Sequence, residues 1–475
     1  MEIEISNKIA VRGAPHRLLD EFVSYLTVLN PKYQEAVSAG RSVWGIPQFI
    51  YNFDNIYNGI AIPRGCRRRL LKAAAEYNPK KLNIVDKRTK FDHIAVDSSA
   101  IKYRPYQFGP VIDLTTKSEE GLLVAPPGSG KTVVGLSVIP LLGQPTLWLT
   151  HTKRLAKQAI ERAEVFLPSL NDDDYGFIGA NKWSIGNILT VALVQTLIRR
   201  EEQLKELRDR FGLVILDEAH HCPAETFMKV VGQLNPYYLY GLTATPYRRD
   251  RLEVIMFQTL GEATAVIKVE DVEKHGGIIV PNVRVREVRY RTVNSRPITD
   301  SNVGRIITNH IIANDKRNHM IVGDVLREAT AGNFCIVVSD RKAHCETLHE
   351  LISMSWPKTG IATGDYSDKY QDEQVRKFYD GEITVLITTF ALLGEGFDVD
   401  FLNRAFITTP FRAEGKVEQL VGRIQRSAEG KTDAIVYDYV DVEIGVLKNQ
   451  FYSDRKDSRL NAYKRLGMEV RPYDG

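Results

Sequence analysis

The chain has 475 residues, of which 43% are apolar and 26% charged, with 34 Gly and 20 Pro; this balance excludes disordered, fibrous and collagen-like classes. At roughly 150 residues per domain, the length provides for about three domains. With 63 Lys and Arg against 59 Asp and Glu, the net charge is +4, too small an excess to require nucleic acid or to exclude it.

Residues 1–92 read as a small basic α+β accessory domain. The first 90 residues hold 15 basic and 8 acidic side chains, a net +7, which leaves the rest of the chain slightly acidic. The opening MEIEISNKIAVRGAP lacks a basic flank followed by an apolar run, so no secretory signal is expected there. Residues 15–29 carry the spacing of an amphipathic helix, and YNFDNIY (51–57) is rich in aromatics. A basic helix is expected from Pro63 onward, in IPRGCRRRLLKAAAEY.

Over 93–265 and again over 310–475, apolar runs bounded by turn residues recur: GLLVA (121–125), TLWLT (146–150), LVIL (213–216) and YLYGLT (238–243), then CIVVS (335–339), VLITT (385–389), AFITT (405–409) and AIVYDYV (434–440). Each has the length of a strand buried on both faces, and most are separated by room for a crossover helix, as in RLAKQAIERAEVFL (154–167). Two parallel α/β sheets in series are expected. Between them, 266–309 reads as a connector, because VRVREVRYRTV (283–293) is charged and no long apolar run occurs. Residues 132–152 contain no Asp, Glu, Lys or Arg, but Pro140, Gln144, Pro145 and His151 interrupt them; a buried helix, a turn and a strand are expected, with no membrane partner. The four cysteines (Cys66, Cys222, Cys335, Cys345) form neither a disulfide framework nor a paired zinc site, which suits a reducing cytoplasm.

The segment GLLVAPPGSGKTVVGLSVI carries the most chemistry. A strand runs into a turn with Gly128 and Gly130, whose missing side chains let backbone N–H groups approach phosphate oxygens, and then into a helix N-terminus that favours an anion. Pro127 and Ser129 complete the turn. Lys131 is placed to meet the β and γ phosphates of ATP and the Thr132 hydroxyl to ligate Mg²⁺, although Ala125 stands where the motif asks for Gly. In FGLVILDEAHHC a buried strand ends in Asp217, suited to hold Mg²⁺, and Glu218, suited to orient and deprotonate the attacking water. His220, His221 and Cys222 are adjacent rather than paired at a distance, poor geometry for a metal site.

APPGSGKT (125–132) with DEAH (217–220) resembles the superfamily 2 helicases and translocases, and further motifs follow in the family's order. YRPYQ (103–107) looks like the adenine-side motif, with Gln107 the base reader and Arg104 its helper. THTKRLAKQ (150–158) and VALVQTL (191–197) are similar to motifs that grip the nucleic-acid backbone, which implies contacts from Thr152, Lys153, Arg154 and Gln195. GLTATP (241–246) supplies Thr243 and Thr245, the hydroxyls that couple nucleotide to track. VVSDRKAHCETL (337–348) resembles motif IV, with Arg341 a track contact and His344, Cys345 and His349 on an exposed helix face. TTFALLGEGFDV (388–399) resembles motif V, with Thr388 and Thr389 on the track and Gly396 and Asp398 at the nucleotide. QLVGRIQR (419–426) resembles motif VI; helical spacing puts Gln419, Arg423 and Arg426 on one face, where two guanidinium groups can neutralise charge on a γ-phosphate.

The resemblance covers about residues 100–470 and runs closest to the UvsW-type, XPB-type and type III restriction motors. It implies two RecA-like domains with ATP between them, Lys131, Thr132 and Asp217 on one wall and Arg423 and Arg426 on the other. The function it implies is an ATP hydrolase acting as a DNA helicase or double-strand DNA translocase on duplex, branched or single-stranded DNA. A restriction or anti-phage motor working with a nuclease or repair partner, and an RNA-stimulated ATPase, stay open. Contacts to the track would fall on phosphates and weaken with salt. Arg64, Arg67 and Arg68, with Arg69 and Lys72, form a second candidate grip, while Phe49, Tyr51, Phe53 and Tyr57 are expected to pack in the core rather than stack on bases.

Overall fold

Alternating and continuous apolar runs become strands of three main sheets in the computed structural model, which describes all residues except 39, 78–81, 180, 222–223, 245–251, 290–302, 395–398, 412–414 and 456–457. The chain divides into two compact units, Met1–Lys268 and Val269–Gly475.

The first unit opens with a five-stranded sheet built from β1 (Glu2–Ile5), β2 (Lys8–Arg12), β5 (Asp54–Ile56), β6 (Gly59–Pro63) and β7 (Asn83–Asp86), in the order β5-β6-β2-β1-β7. Period-two alternation buries Ile3, Ile5, Ile9 and Val11. Against them pack Leu18, Phe22 and Leu26, one stripe of the helix His16–Leu26, and Leu70 and Ala74 of the helix Arg67–Tyr77. A short antiparallel pair of β3 (Thr27–Leu29) and β4 (Phe49–Tyr51) lies outside this sheet.

The basic cluster of this region does not face solvent as a whole. Arg64, in the short turn Arg64–Cys66, is only 3% exposed. Its guanidinium donates to the Pro236 and Tyr237 carbonyls and pairs with the buried Glu120 at 3.3 Å. Arg67 pairs with Glu119 and Glu120, and Arg88 lies 3.5 Å from Glu120. Gly65 is needed for this approach, since a Cβ there would sit 2.3 Å from the Gly261 nitrogen. Arg64 and Arg67 are thus corrected from track grips to anchors that fasten the N-terminal sheet to the next one, because Arg64 is buried and the Arg67 guanidinium is paired with two carboxylates. Arg68 remains exposed. Of the aromatics, Phe53 packs against the core as expected, whereas Phe49, Tyr51 and Tyr57 are exposed, and so is Trp44.

The second sheet of this unit comprises β8 (Glu120–Val124), β9 (Thr146–Thr150), β10 (Tyr175–Gly179), β11 (Lys182–Trp183), β12 (Leu189–Leu193), β13 (Leu213–Leu216), β14 (Tyr238–Thr243) and β15 (Ala263–Val266), ordered β11-β10-β12-β9-β13-β14-β8-β15. Its pairs are parallel except β10 with β11. Because β8, β13 and β14 are neighbours running one way, the segments leaving their C-terminal ends meet on one edge, the usual ligand edge of such sheets.

The second unit holds a seven-stranded parallel sheet of β16 (Asn282–Val288), β17 (Cys335–Ser339), β18 (Thr359–Ala362), β19 (Val385–Thr389), β20 (Arg404–Ile407), β21 (Ile435–Asp441) and β22 (Val470–Pro472), ordered β18-β19-β17-β20-β21-β16-β22. β16 falls within the segment read as a connector. Two of its charges find partners within the fold, Arg286 on the buried Asp324 and Arg284 2.8 Å from the Tyr437 hydroxyl. The helix Lys342–Ser353 buries His344 and Cys345, which corrects the expectation of an exposed face. His344 Nδ1 lies 3.1 Å from the Ser339 hydroxyl and Nε2 3.1 Å from Asn318 Oδ1.

Candidate active site

The candidate phosphate-binding turn starts where β8 ends. Gly128 and Gly130 adopt φ of +79° and +83°, a left-handed region that a side chain disfavours. Gly130 caps the helix Lys131–Leu142. The turn is braced from below by Gln107, whose Nε2 donates to the Ser129 carbonyl at 2.8 Å while its Oε1 accepts from the Arg104 N–H at 2.9 Å. Both ends of the buried Gln107 amide thus hold backbone, and the Arg104 guanidinium donates to the Tyr106 hydroxyl at 3.0 Å. Ser129 is buried with its hydroxyl on the Pro126 carbonyl at 2.7 Å, Pro127 is half-buried, and Thr132 opens the helix half-exposed. The ammonium of Lys131 lies 3.5 Å from the Ala125 carbonyl and 3.6 Å from Glu218 Oε1.

That last contact joins two motifs 87 positions apart in sequence. Asp217 follows β13, with one carboxylate oxygen accepting the Glu218 N–H at 2.9 Å. Glu218 has φ of +47°, a costly conformation for a residue with a side chain, and such strain gathers at functional positions. Burial, then the adjacent Glu218 carboxylate, pushes Asp217 up to about 7, against the pull of Lys131. From Glu218 the contacts continue: His220 Nδ1 is 3.4 Å from Glu218 Oε2 and 3.0 Å from the hydroxyl of Thr243, buried at the end of β14. His220, weighed in the sequence only as a metal ligand, links the acidic pair to Thr243. Its signal was the last letter of DEAH. Thr245 lies outside the described residues.

These residues suit a nucleotide and a hard divalent cation. The glycine turn leaves room for an anion at a helix N-terminus, and two adjacent carboxylates, one strongly desolvated, are oxygen donors that a cation would relieve.

In the second unit, the helix Lys416–Ile424 buries Val417, Leu420, Val421 and Ile424 and leaves Gln419 and Arg423 half-exposed. Arg426 lies beyond the helix end, a correction to its placement on the helix face; it forms an isolated antiparallel bridge with Ile278, and its Nη1 is 3.4 Å from Asp400 Oδ1. Two buried arginines grip the segment leading into this helix. Arg317, clamped on Asp441, donates to the Thr408 carbonyl at 2.6 Å, and Arg459, clamped on Asp438, donates to the Phe411 carbonyl at 2.7 Å. Gly396 and Asp398 lie outside the described residues.

The track residues fall on different ground. Thr152 caps the helix Lys153–Phe166 by accepting the Leu155 N–H at 3.2 Å, Lys153 is exposed and Arg154 half-exposed beside it. Gln195 and Arg341 are exposed, each at the start of a helix that follows a strand. Thr388 is 1% exposed, which corrects it from a track contact to a packed residue, whereas Thr389 is half-exposed at the end of β19.

Known proteins resemble this chain in sequence and in fold. Residues 89–248 match the family described as type III restriction enzyme, res subunit, and residues 318–428 match the helicase conserved C-terminal domain. The probable helicase D10 of Escherichia phage T5 is 27% identical over 370 residues, 76% of each chain. The DNA 3'-5' translocase XPB2 of Sulfurisphaera tokodaii is 23% identical over 398 residues, 75% of this chain and 87% of the relative. Among solved structures, Dbp5 of S. cerevisiae bound to RNA and ADP BeF3 superposes with a TM-score of 0.52 at 15% identity over 80% of this chain and 96% of its own, a likeness of fold. With both RecA-like sheets present and the helicase motifs on their edges, the chain belongs to the superfamily 2 helicases and translocases and is an ATP-dependent motor of that kind.

Proposed function

We propose that the protein is a DNA-stimulated ATPase that translocates on, or unwinds, duplex or branched DNA. The observation that carries the hydrolytic part is the 3.6 Å contact between Lys131 and Glu218, which brings the phosphate-binding turn and the acidic pair into one site. In this reading Thr132 and Asp217 hold Mg²⁺, Lys131 holds the terminal phosphates, and Glu218 orients water and accepts its proton. Magnesium supplies charge neutralisation at the phosphates when bound. Arg423 and Arg426, with Gln419, meet the negative charge that develops on the γ-phosphate. Gln107 acts here first as a brace for the turn. The track is held at phosphates by Thr152, Lys153, Arg154, Gln195, Arg341 and Thr389, with exposed Arg68 and the rings of Tyr51 and Tyr57 as a further face. DNA as the track is supported by the likeness to a DNA 3'-5' translocase across three quarters of the chain.

An ATPase titration with duplex DNA, single-stranded DNA and RNA of equal length tests this, with Lys131→Ala as the dead control. Strongest stimulation by DNA supports the reading, RNA-selective stimulation replaces DNA with RNA, and turnover indifferent to all three overturns it. The match of residues 89–248 to a restriction-enzyme subunit family favours a second reading, a motor that acts with a nuclease partner. A nuclease co-purifying with the full chain at fixed stoichiometry would select it.

A further inference from the structure

The segment that carries Arg426 leaves its helix at Ile424, and the last carbonyls of a helix have no partner within it. Lys431 turns its ammonium back onto them. Its Nζ donates to the Ile424 carbonyl at 2.6 Å, to the Arg426 carbonyl at 2.6 Å and to the Asp400 carbonyl at 3.1 Å. Three N–H donors therefore meet three acceptors, and a cation sits where a helix C-terminus favours one. The same contacts draw Asp400 against the Arg426 backbone, where the Asp400 carboxylate lies 3.4 Å from the Arg426 guanidinium. On the far side the Ile279 N–H donates to the Gln425 carbonyl at 2.6 Å and the Ser427 hydroxyl donates to the Gly277 carbonyl at 3.2 Å.

We propose that Lys431 is a positioning residue for catalysis: it fixes the backbone from which Arg426 reaches the nucleotide. A lysine serving a surface would spend its ammonium on water or a carboxylate, whereas this one spends it on three main-chain oxygens at the root of the arginine. The inference rests on the reading of Arg426 as the guanidinium that meets γ-phosphate charge. Protonation is part of the device, because a neutral amine has two N–H groups for three carbonyls and must release one. Burial lowers Lys431 to about 8; the carboxylates of Asp400 and Asp433 oppose this, and the guanidinium groups of Arg426 and Arg404 add to it. Turnover should accordingly fall as pH rises through about 8.

The test measures kcat and KM for ATP at saturating nucleic acid from pH 6.5 to 9.5 in wild type, Lys431→Met, Lys431→Arg and Arg426→Ala, with nucleotide binding followed by a fluorescent ATP analogue. Lys431→Met should lower kcat between about tenfold and a hundredfold, the scale of an ångström-sized misplacement, with nucleotide binding unchanged and the alkaline limb gone. Lys431→Arg should recover part of kcat and keep it above pH 8. Lys431→Met added to Arg426→Ala should cost nothing more. A Lys431→Met protein with wild-type kcat, or one whose loss adds fully to that of Arg426→Ala, overturns the proposal. An Arg426→Ala protein with full turnover overturns the reading of Arg426 beneath it, a result separable from the first.

Discussion

The hydroxyl of Thr243 stands 3.0 Å from Nδ1 of His220, and that nitrogen is itself 3.4 Å from the carboxylate of Glu218. The end of β14 is thus two contacts from Glu218, the group proposed to activate water. A shift of β14 would be felt at Glu218 through the imidazole, a physical route by which track binding could alter hydrolysis. Thr243→Val keeps the shape of the side chain and deletes the link. Basal ATPase should persist while stimulation by nucleic acid drops severalfold, as the ratio of stimulated to basal rates will show; an unchanged ratio would remove the link from the mechanism.

The anchor of the N-terminal sheet can be tested by charge. Glu120 is buried among Arg64, Arg67 and Arg88, and removing one partner of a buried ion pair costs about 3–5 kcal/mol because the remaining charge is left uncompensated. Glu120→Gln should therefore lower the stability of the first unit by about that amount. Urea titration measures it. A midpoint equal to wild type would mean that water, not Glu120, compensates these arginines.

Much of this was legible in sequence. The runs TLWLT, LVIL, YLYGLT, CIVVS and VLITT form strands with the expected ends, because continuous apolar residues have few alternatives to a strand covered on both sides. Lys131 and Glu218, read from two separate motifs, lie 3.6 Å apart because strand ends in a parallel sheet share an edge. What misled was charge. Arg284 and Arg286 helped β16 read as connector, and Arg64 and Arg67 read as a track grip, yet each is matched to a carboxylate or phenol tens of residues or more away. A local pattern holds no trace of such a partner. His344 failed similarly, since its burial is set by Asn318 and Ser339 rather than by its neighbours in the helix.

The glycine that closes the candidate phosphate turn meets two constraints that can be separated. At Gly130 a Cβ would lie 2.4 Å from Gln107 Nε2, and φ is +83°. Gly130→Ala should abolish detectable ATP binding. Adding Gln107→Ala removes the clash but leaves a left-handed alanine, which costs about 1–2 kcal/mol, and also removes the brace on Ser129. Binding in the double variant should recover only weakly, as fluorescent-nucleotide titration will measure. Full recovery would mean that the clash alone mattered.

His344 makes the second unit sensitive to acid. Burial, then the charge of Arg317, holds its imidazole down to about 3, against about 6.5 in an unfolded chain. The folded state keeps the ring neutral, with Ser339 and Asn318 as its partners. Between pH 6.5 and 3 the unfolded chain therefore binds the extra proton. Stability is highest above pH 6.5 and falls as pH drops through this window, by up to about 1.4 kcal/mol per pH unit from this group. His344→Gln retains an amide that can serve both partners and does not titrate. Denaturant midpoints at pH 7.5, 6 and 5 should separate the two proteins: wild type should lose more stability on acidification than His344→Gln, and parallel losses would show that His344 is not the group that titrates.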